Sequence, residues 1–356
     1  MTAHDKIDPR APVLTHGDMA AIPDDAAMLR AAAELTRDIS KPKPGIYWPD
    51  FIASAVLGYA AFAGALVLPG WAALAAGCVA VLALYRAAGF IHELTHIREG
   101  ALPGFRFVWN LTFGIPWLLP SFMYEEIHTL HHQRIRYGTI EDPEYLPLAK
   151  MKPWSLPLFI LVALLAPVAL LVRFGILAPL GLVLPPLRRF VAEKYSALSI
   201  NPAFRRRAPA PLIRRRWFWQ ELGSMIWAVA LLASPLWLGW KPLLVWMATL
   251  SGIAVINQLR TLVAHLWEND GPAITVTAQY LDSVNVPPPA LLAPLWAPVG
   301  LRYHALHHLL PSLPYHSLGE AHRRLEAKLG PQSTYEKASY SGLWVLVGRL
   351  ARSTMR

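Results

Sequence analysis

The sequence predicts an all-α polytopic membrane protein, with about four transmembrane helices in two hairpins and a histidine-rich metal-binding cap on the cytoplasmic side. Three observations lead there. The 356 residues are 54% hydrophobic and 16% charged, where an average soluble domain carries roughly 25% charge. Charge-free runs are long enough to cross ~30 Å of hydrocarbon. The basic residues gather in short blocks between those runs, which reads as a topology signal and not as a nucleic-acid surface, despite a formal net charge of +10. The single cysteine, Cys78, excludes an internal disulfide framework, a thiolate zinc finger and a cysteine-ligated iron–sulfur cluster.

Residues 1–46 form a polar N-terminal segment of mixed charge. It has no short apolar core near Met1, so a cleaved signal peptide is not expected. The membrane domain is expected over 47–330 and a C-terminal tail over 331–356. Residues 51–85 carry no charge and are broken only at Pro69-Gly70, a turn-forming dipeptide, which makes two spans of a hairpin. The second span continues past Arg86, which snorkels or pairs near the surface, and ends around His92. Residues 105–122 are a weaker apolar segment. Residues 154–187 are apolar but interrupted by Arg173, Pro157, Pro167, Pro179 and Pro185-Pro186. They are too short for two comfortable spans, so the segment is expected to lie in the interface or to dip in and return. The second hairpin is expected over 222–240 and 242–259, with Lys241 at the turn.

Before that hairpin come Arg188, Arg189, Lys194, Arg205, Arg206, Arg207, Arg214, Arg215 and Arg216, against Glu193 as the one acid before Glu221. The positive-inside rule assigns that loop, and with it both termini, to the cytoplasm.

Thirteen histidines are present. Eight of them fall in three clusters: His92 and His96 in HELTH, His128, His131 and His132 in HTLHH, and His304, His307 and His308 in HALHH. On a helix the i, i+4 and i, i+3, i+4 spacings put the imidazoles on one face. One such cluster is as well explained by a polar helix end at the membrane surface. Three clusters that the topology independently places on one side can meet in a single site. His265, just beyond the last span, emerges at the same depth and is counted as a ninth candidate, although a lone histidine there more often caps a helix. His4, His16, His316 and His322 read as solvated or structural.

A structural zinc takes four ligands and a catalytic zinc three, so nine imidazoles exceed one zinc site and suggest two metals with four or five ligands each. Imidazole suits iron, copper, nickel and zinc alike. A redox metal beside a membrane is best explained by oxygen activation on an apolar substrate.

The three boxes, in this order and with a pair of spans before the third, resemble those of the integral-membrane fatty acid desaturase and hydroxylase superfamily. The similarity covers about residues 51–325, and GTIEDPEY after the second box and RYHALHHLLPSLPYH around the third also look like that family. The resemblance implies a non-haem di-iron centre held by the eight box histidines, with His265 matching one further histidine used by members after the fourth span. It implies dioxygen as co-substrate and an acyl lipid or acyl thioester as substrate. Electrons come from a separate protein of ferredoxin or cytochrome b5 type, because no HPGG haem segment and no GxGxxG nucleotide fold is present. Members hold one iron through an asparagine-bound water one helical turn before that last histidine. Here Thr261 stands at that position, with Asn257 and Asn269 nearby.

The activity implied first is insertion of a double bond into a fatty acyl chain, with lipid hydroxylation and carotenoid or sphingolipid modification as alternatives. The third box begins with His304, not glutamine, which separates it from the front-end desaturases. Glu93, Glu125, Glu126, Asp142 and Asp270 are candidate carboxylates to orient the imidazoles. Two rival classes remain. HELTH satisfies the H-E-x-x-H zinc protease signature, but that leaves the six histidines of the later boxes without a role. A metal transporter would place ligands along a path through the bilayer, whereas these lie at one surface.

Overall fold

The computed structural model describes residues 16–269, 271 and 273–355. His4, Asp270 and the side chain of His16 lie outside the described residues. Among the described residues the protein is all-helical, and the extended backbone is limited to isolated bridges.

Pro44 opens helix α1 (Pro44–Val67), at a position where its missing N–H has no intrahelical partner anyway. The chain turns at Pro69-Gly70, with Gly70 at φ +53°, into α2 (Gly70–His96). A Cβ on Gly58 would lie 2.6 Å from Leu84 Cγ, so the glycine is what lets the two helices approach so closely. Val56, Val67, Trp71 and Leu74 face outward, as a lipid-facing surface requires. Arg86 pairs where the sequence allowed either pairing or snorkelling: its guanidinium donates at 2.8 and 2.6 Å to the two oxygens of Asp50 on α1.

Among the described residues five helical runs are long and apolar enough to cross a bilayer, against the four expected, and the added one is α3 (Ser155–Val183). Its contacts show what it does. It leaves the cap at Phe159, which packs with Leu262 and Trp267. Leu164 accepts the Ser251 hydroxyl midway along the last span. Gly175 then lies against Ala228 and Leu232, and the next helix, Pro185–Lys194, folds back so that Gly181 meets Arg188. By residues 198–206 the chain is again at the cap: Leu198 bonds to Met123, Asn201 to Pro143, and Arg206 to the carbonyls of Phe122 and Glu125. The run therefore enters and returns, with 3-10 and π turns at residues 162–165 and 173–177 absorbing its prolines. Arg173 is buried within it, bonded to Ser196 at 2.8 Å and Glu221 at 2.6 Å.

The second hairpin is α4 (Pro211–Ala233) and α5 (Trp240–Leu262). Its turn falls at Ser234–Gly239 and not at Lys241, because Gly239 supplies the positive φ of +68° that starts the return arm. Beyond α5 the chain builds the cap. Bridges pair His265 with Ser283, and Asn285 with both Tyr303 and Ser339. Onto this frame pack the third-box helix α6 (His304–Leu309), the helix Tyr315–Leu329, and the N-terminal helix Ala26–Leu35 through Met28, Ala31 and Ala32.

Candidate metal centre

Helical spacing aligns His92 with His96 at the cap end of α2, with ring centroids 5.1 Å apart. The one-turn helix His128–His131 carries the second box, and α6 carries the third. The fold brings all nine candidate histidines together in two groups, His92, His96, His128, His132 and His307 in one, and His131, His265, His304 and His308 in the other. Within each group the ligand nitrogens lie within 4.8 Å of one another, close enough for one metal ion per group. His265 joins through the bridge to Ser283, a pairing distant in sequence.

The nitrogens face each other. Nε2 of His132 lies 2.9 Å from Nε2 of His128 and 3.0 Å from Nε2 of His307. In the second group Nε2 of His304 lies 3.0 Å from His265 and 3.2 Å from His308. One shared proton can satisfy a pair of such nitrogens but not a ring of them, whereas a cation at the centre satisfies all. The rings offer lone pairs because burial, reinforced by neighbouring histidines, holds His128, His132, His265, His304, His307 and His308 well below the ordinary imidazole pKa. Buried nitrogens of His92 and His96 have no hydrogen-bond partner among the described residues. The donor set thus fits two borderline metal ions bound by neutral imidazole.

A second layer holds the outer nitrogens. Asp142 lies 3.0 Å from Nδ1 of His131 through both oxygens. Glu144 accepts from Nδ1 of His128 at 2.8 Å, and Tyr124 donates to Glu144 at 2.7 Å. Tyr137 lies 2.9 Å from Nδ1 of His265 and donates to Asp282, as does Tyr145. The Gln279 amide is 3.0 Å from Nδ1 of His308. The Asp142, Glu144 and Tyr137 contacts hold the proton on Nδ1 and leave Nε2 directed inward, whereas the Gln279 amide donates to Nδ1 of His308. Burial raises Glu144 to about 7, with the His131 charge opposing, and raises Asp282 to about 7, reinforced by Glu268.

Of the carboxylates expected in this role, only Asp142 hydrogen-bonds an imidazole among the described residues. Glu125 is spent on Arg106 and Arg216, and Glu126 lies on the exposed side, 4.0 Å from Arg206. Glu93 lies 3.7 Å from Nδ1 of His92, but it accepts from the Tyr47 hydroxyl and the Tyr315 amide. That network, and the grouping of seven further histidines with His92 and His96, removes the protease reading of HELTH. Glu144, Tyr124, Tyr137, Asp282 and Gln279 were not singled out from the sequence. Glu144 alone had a signal, two residues after Asp142 in GTIEDPEY. Asn269 is committed to the Tyr137 carbonyl, while Asn257 and Thr261 line a cavity beside the centre. His316 accepts from the Lys43 amide, and His322 lies 2.8 Å from the Tyr335 hydroxyl, both in structural contacts outside the two groups.

That cavity, of about 630 Å³, runs from His92, Tyr124 and Glu144 down between α2, α3 and α5 to Tyr85, Leu170 and Ile253. Its wall is polar near the histidines and apolar toward the bilayer interior, the shape that a lipid with a polar head and a long chain would fill.

This fold and site define an integral-membrane protein of the three-histidine-box class, with room for two metal ions above a lipid-sized cavity. The chain belongs to the fatty acid desaturase family, whose model matches residues 69–339. It is also similar to a ceramide hydroxylase of Caulobacter vibrioides, with 47% identity over 341 residues, covering 94% of this chain and 96% of that one. No solved structure matches the chain. The resemblance seen in the sequence is therefore the family itself, and the protein is an oxygen-dependent lipid-modifying oxidoreductase. The relative agrees with the hydroxylase alternative more than with the desaturase reading.

Proposed function

We propose that the protein is a di-iron hydroxylase of ceramide-type sphingolipids. The observation that carries this reading is the cavity that opens at His92 of the first histidine group, taken with the ceramide hydroxylase that matches nearly the whole chain. The nine histidines hold two iron ions, five imidazoles to one and four to the other. When bound, the iron pair supplies reductive activation of dioxygen and attack on an unactivated C–H bond. Overall, one oxygen atom enters the C–H bond, the other leaves as water, and two electrons and two protons are taken up.

The chain's own residues do the rest. Asp142, Glu144 and Tyr137 hold the imidazoles in the tautomer that leaves Nε2 free. The apolar wall formed by Phe113, Leu170, Leu250 and Ile253 keeps water away from the reacting carbon and aligns the chain. Glu144, bonded to Tyr124 and 2.8 Å from Nδ1 of His128, anchors that ring at the edge of the cavity. Electrons come from a separate ferredoxin or cytochrome b5 type protein. The exposed arginines Arg205, Arg207, Arg214 and Arg215 offer it a cationic surface, whereas Arg206 is buried and stacks 4.1 Å over Trp217. By the positive-inside rule the site faces the cytoplasm.

The test is mass spectrometry of lipids from a host that makes ceramide, with isotopically labelled dioxygen. Ceramide gaining one labelled oxygen is the expected result. Loss of two hydrogens without oxygen would overturn the hydroxylase reading and restore the desaturase.

A further inference from the structure

Among the described residues three arginines are buried: Arg173, Arg206 and Arg260. Arg173 is held by Glu221, Ser196 and the Tyr195 carbonyl, with only Nη1 left without a partner, and Arg206 bonds to three backbone carbonyls. Arg260 differs. It stands on α5 with 9% exposure, and its guanidinium has no hydrogen bond or ion pair among the described residues, the Nε being both dry and without a partner. Its side chain lines the lipid cavity at the polar end, together with His92, Tyr124 and Glu144. Glu144 feels the Arg260 charge but gives it no hydrogen bond, because that carboxylate is engaged by His128 and Tyr124. A buried guanidinium left without acceptors is strongly unfavourable, so its geometry calls for an oxygen acceptor brought in by a ligand.

The rest of the cavity says which kind. Past Arg260 the wall becomes apolar, through Ile253, Leu250, Phe113 and Leu170 to Tyr85. A molecule that satisfies both ends has a carbonyl oxygen at the head of a long hydrocarbon chain. With that oxygen on Arg260, the stretch of chain beside His92 is the one that immediately follows the carbonyl, and the remainder runs away from the histidines into the membrane.

We propose that Arg260 binds the carbonyl oxygen at the head of the substrate's acyl chain and thereby directs oxygen insertion to the α or β carbon. This rests on the hydroxylase reading above for the identity of the product, but the binding contact can be tested without turnover. Arg260 is a substrate-binding and position-determining residue, and the carbonyl can belong to an amide or to a free carboxylic acid.

The experiment uses the full chain, metal-loaded, in lipid nanodiscs. Binding of ceramide, of the matching free fatty acid and of an ether-linked ceramide analogue without the carbonyl is measured by ligand-induced thermal shift, and the hydroxyl position by fragmentation mass spectrometry. The wild type is expected to bind ceramide about tenfold or more above the ether analogue, as a hydrogen bond to a charged donor implies. Arg260→Leu should lose that preference and scatter the hydroxyl along the chain, with metal content unchanged, while Arg260→Lys keeps part of both. Preferred binding of the free acid would keep the Arg260 contact and remove the ceramide assignment. A double-bond product with the preference intact would overturn the hydroxylase reading and leave the contact standing. The proposal is overturned if Arg260→Leu retains the preference and the hydroxyl position. Should that variant not fold, a wild type that binds the ether analogue as well as ceramide, or that places the hydroxyl mid-chain, overturns it equally.

Discussion

Asp142 faces Nδ1 of His131 with both carboxylate oxygens, each 3.0 Å away, and both residues are sealed from solvent. Asp142 is itself held, by the amides of Gly138 and Glu144 at 2.9 Å each. Burial alone would lower the His131 imidazole, but the Asp142 carboxylate more than offsets it and holds the ring above its ordinary pKa. The carboxylate thus makes His131 a more basic ring and fixes Nδ1–H outward, leaving Nε2 directed at His265, 3.2 Å away.

Asp142→Asn keeps the size of the side chain and removes the charge. Loss of such an outer partner lowers metal affinity by about 10–100-fold. The expected outcome is a protein of unchanged helicity that loses metal to a weak chelator at concentrations the wild type withstands, measured by metal titration with elemental analysis. Equal retention by variant and wild type would show that Asp142 only anchors the loop.

The two groups predict two metals that separate by mutation. Purified without chelators, the chain should hold about two iron ions, since five and four imidazoles each meet the needs of one ion. His265→Ala removes one of four from the second group and none from the first, so iron content should fall toward one per chain with insertion into the membrane intact. Zinc near one per chain in the wild type, with no iron, would refute the di-iron centre. Loss of both irons together in His265→Ala would mean that the groups are not independent.

What the sequence disclosed and what it hid follow from periodicity. The box histidines were legible because 3.6-residue spacing puts them on one face, and His265 because the span before it fixed its depth. The return of residues 154–187 to the cap was legible from their interruptions, although length and hydropathy alone would count them as a crossing. Tyr124, Tyr137, Gln279 and Asp282 were hidden because they meet the site from loops and short helices separated by up to 145 residues, as Tyr137 and Asp282 are. Nothing periodic marks such residues. Glu125 looked equally suited to orient a histidine, and only the positions of Arg106 and Arg216 show where its charge goes.

The returning segment depends on one ion pair. Arg173 is 4% exposed and bonds at 2.6 Å to Glu221, which Trp217 also contacts at 3.1 Å. Removing one partner of a buried pair strands the other, at a cost of about 3–5 kcal/mol. Glu221→Leu, which strands the buried Arg173, should therefore lower the thermal unfolding midpoint of detergent-purified protein strongly. Arg173→Leu should do so less, because the Glu221 carboxylate it strands is partly exposed, and the double variant should recover part of the loss. Strict additivity of the two single effects would exclude a direct energetic coupling.

Sidedness follows from the same segment. Because the chain leaves the cap at Phe159 and is back by Arg206, and because α1–α2 and α4–α5 each turn at the far side, all three boxes share one face with the arginine loop. The positive-inside rule predicts that this face is cytoplasmic. Arg207 and Gln332 are exposed on the box side, while Trp71 is exposed beside the Gly70 turn. In a Cys78→Ser background, Arg207→Cys and Gln332→Cys should react with a membrane-impermeant maleimide only after cells are opened. Trp71→Cys should react in intact cells. Labelling of both box-side positions from outside would invert the orientation but keep the single site. Labelling of Gln332→Cys but not Arg207→Cys from outside would separate the third box from the others by a bilayer, and the nine-histidine centre could not form.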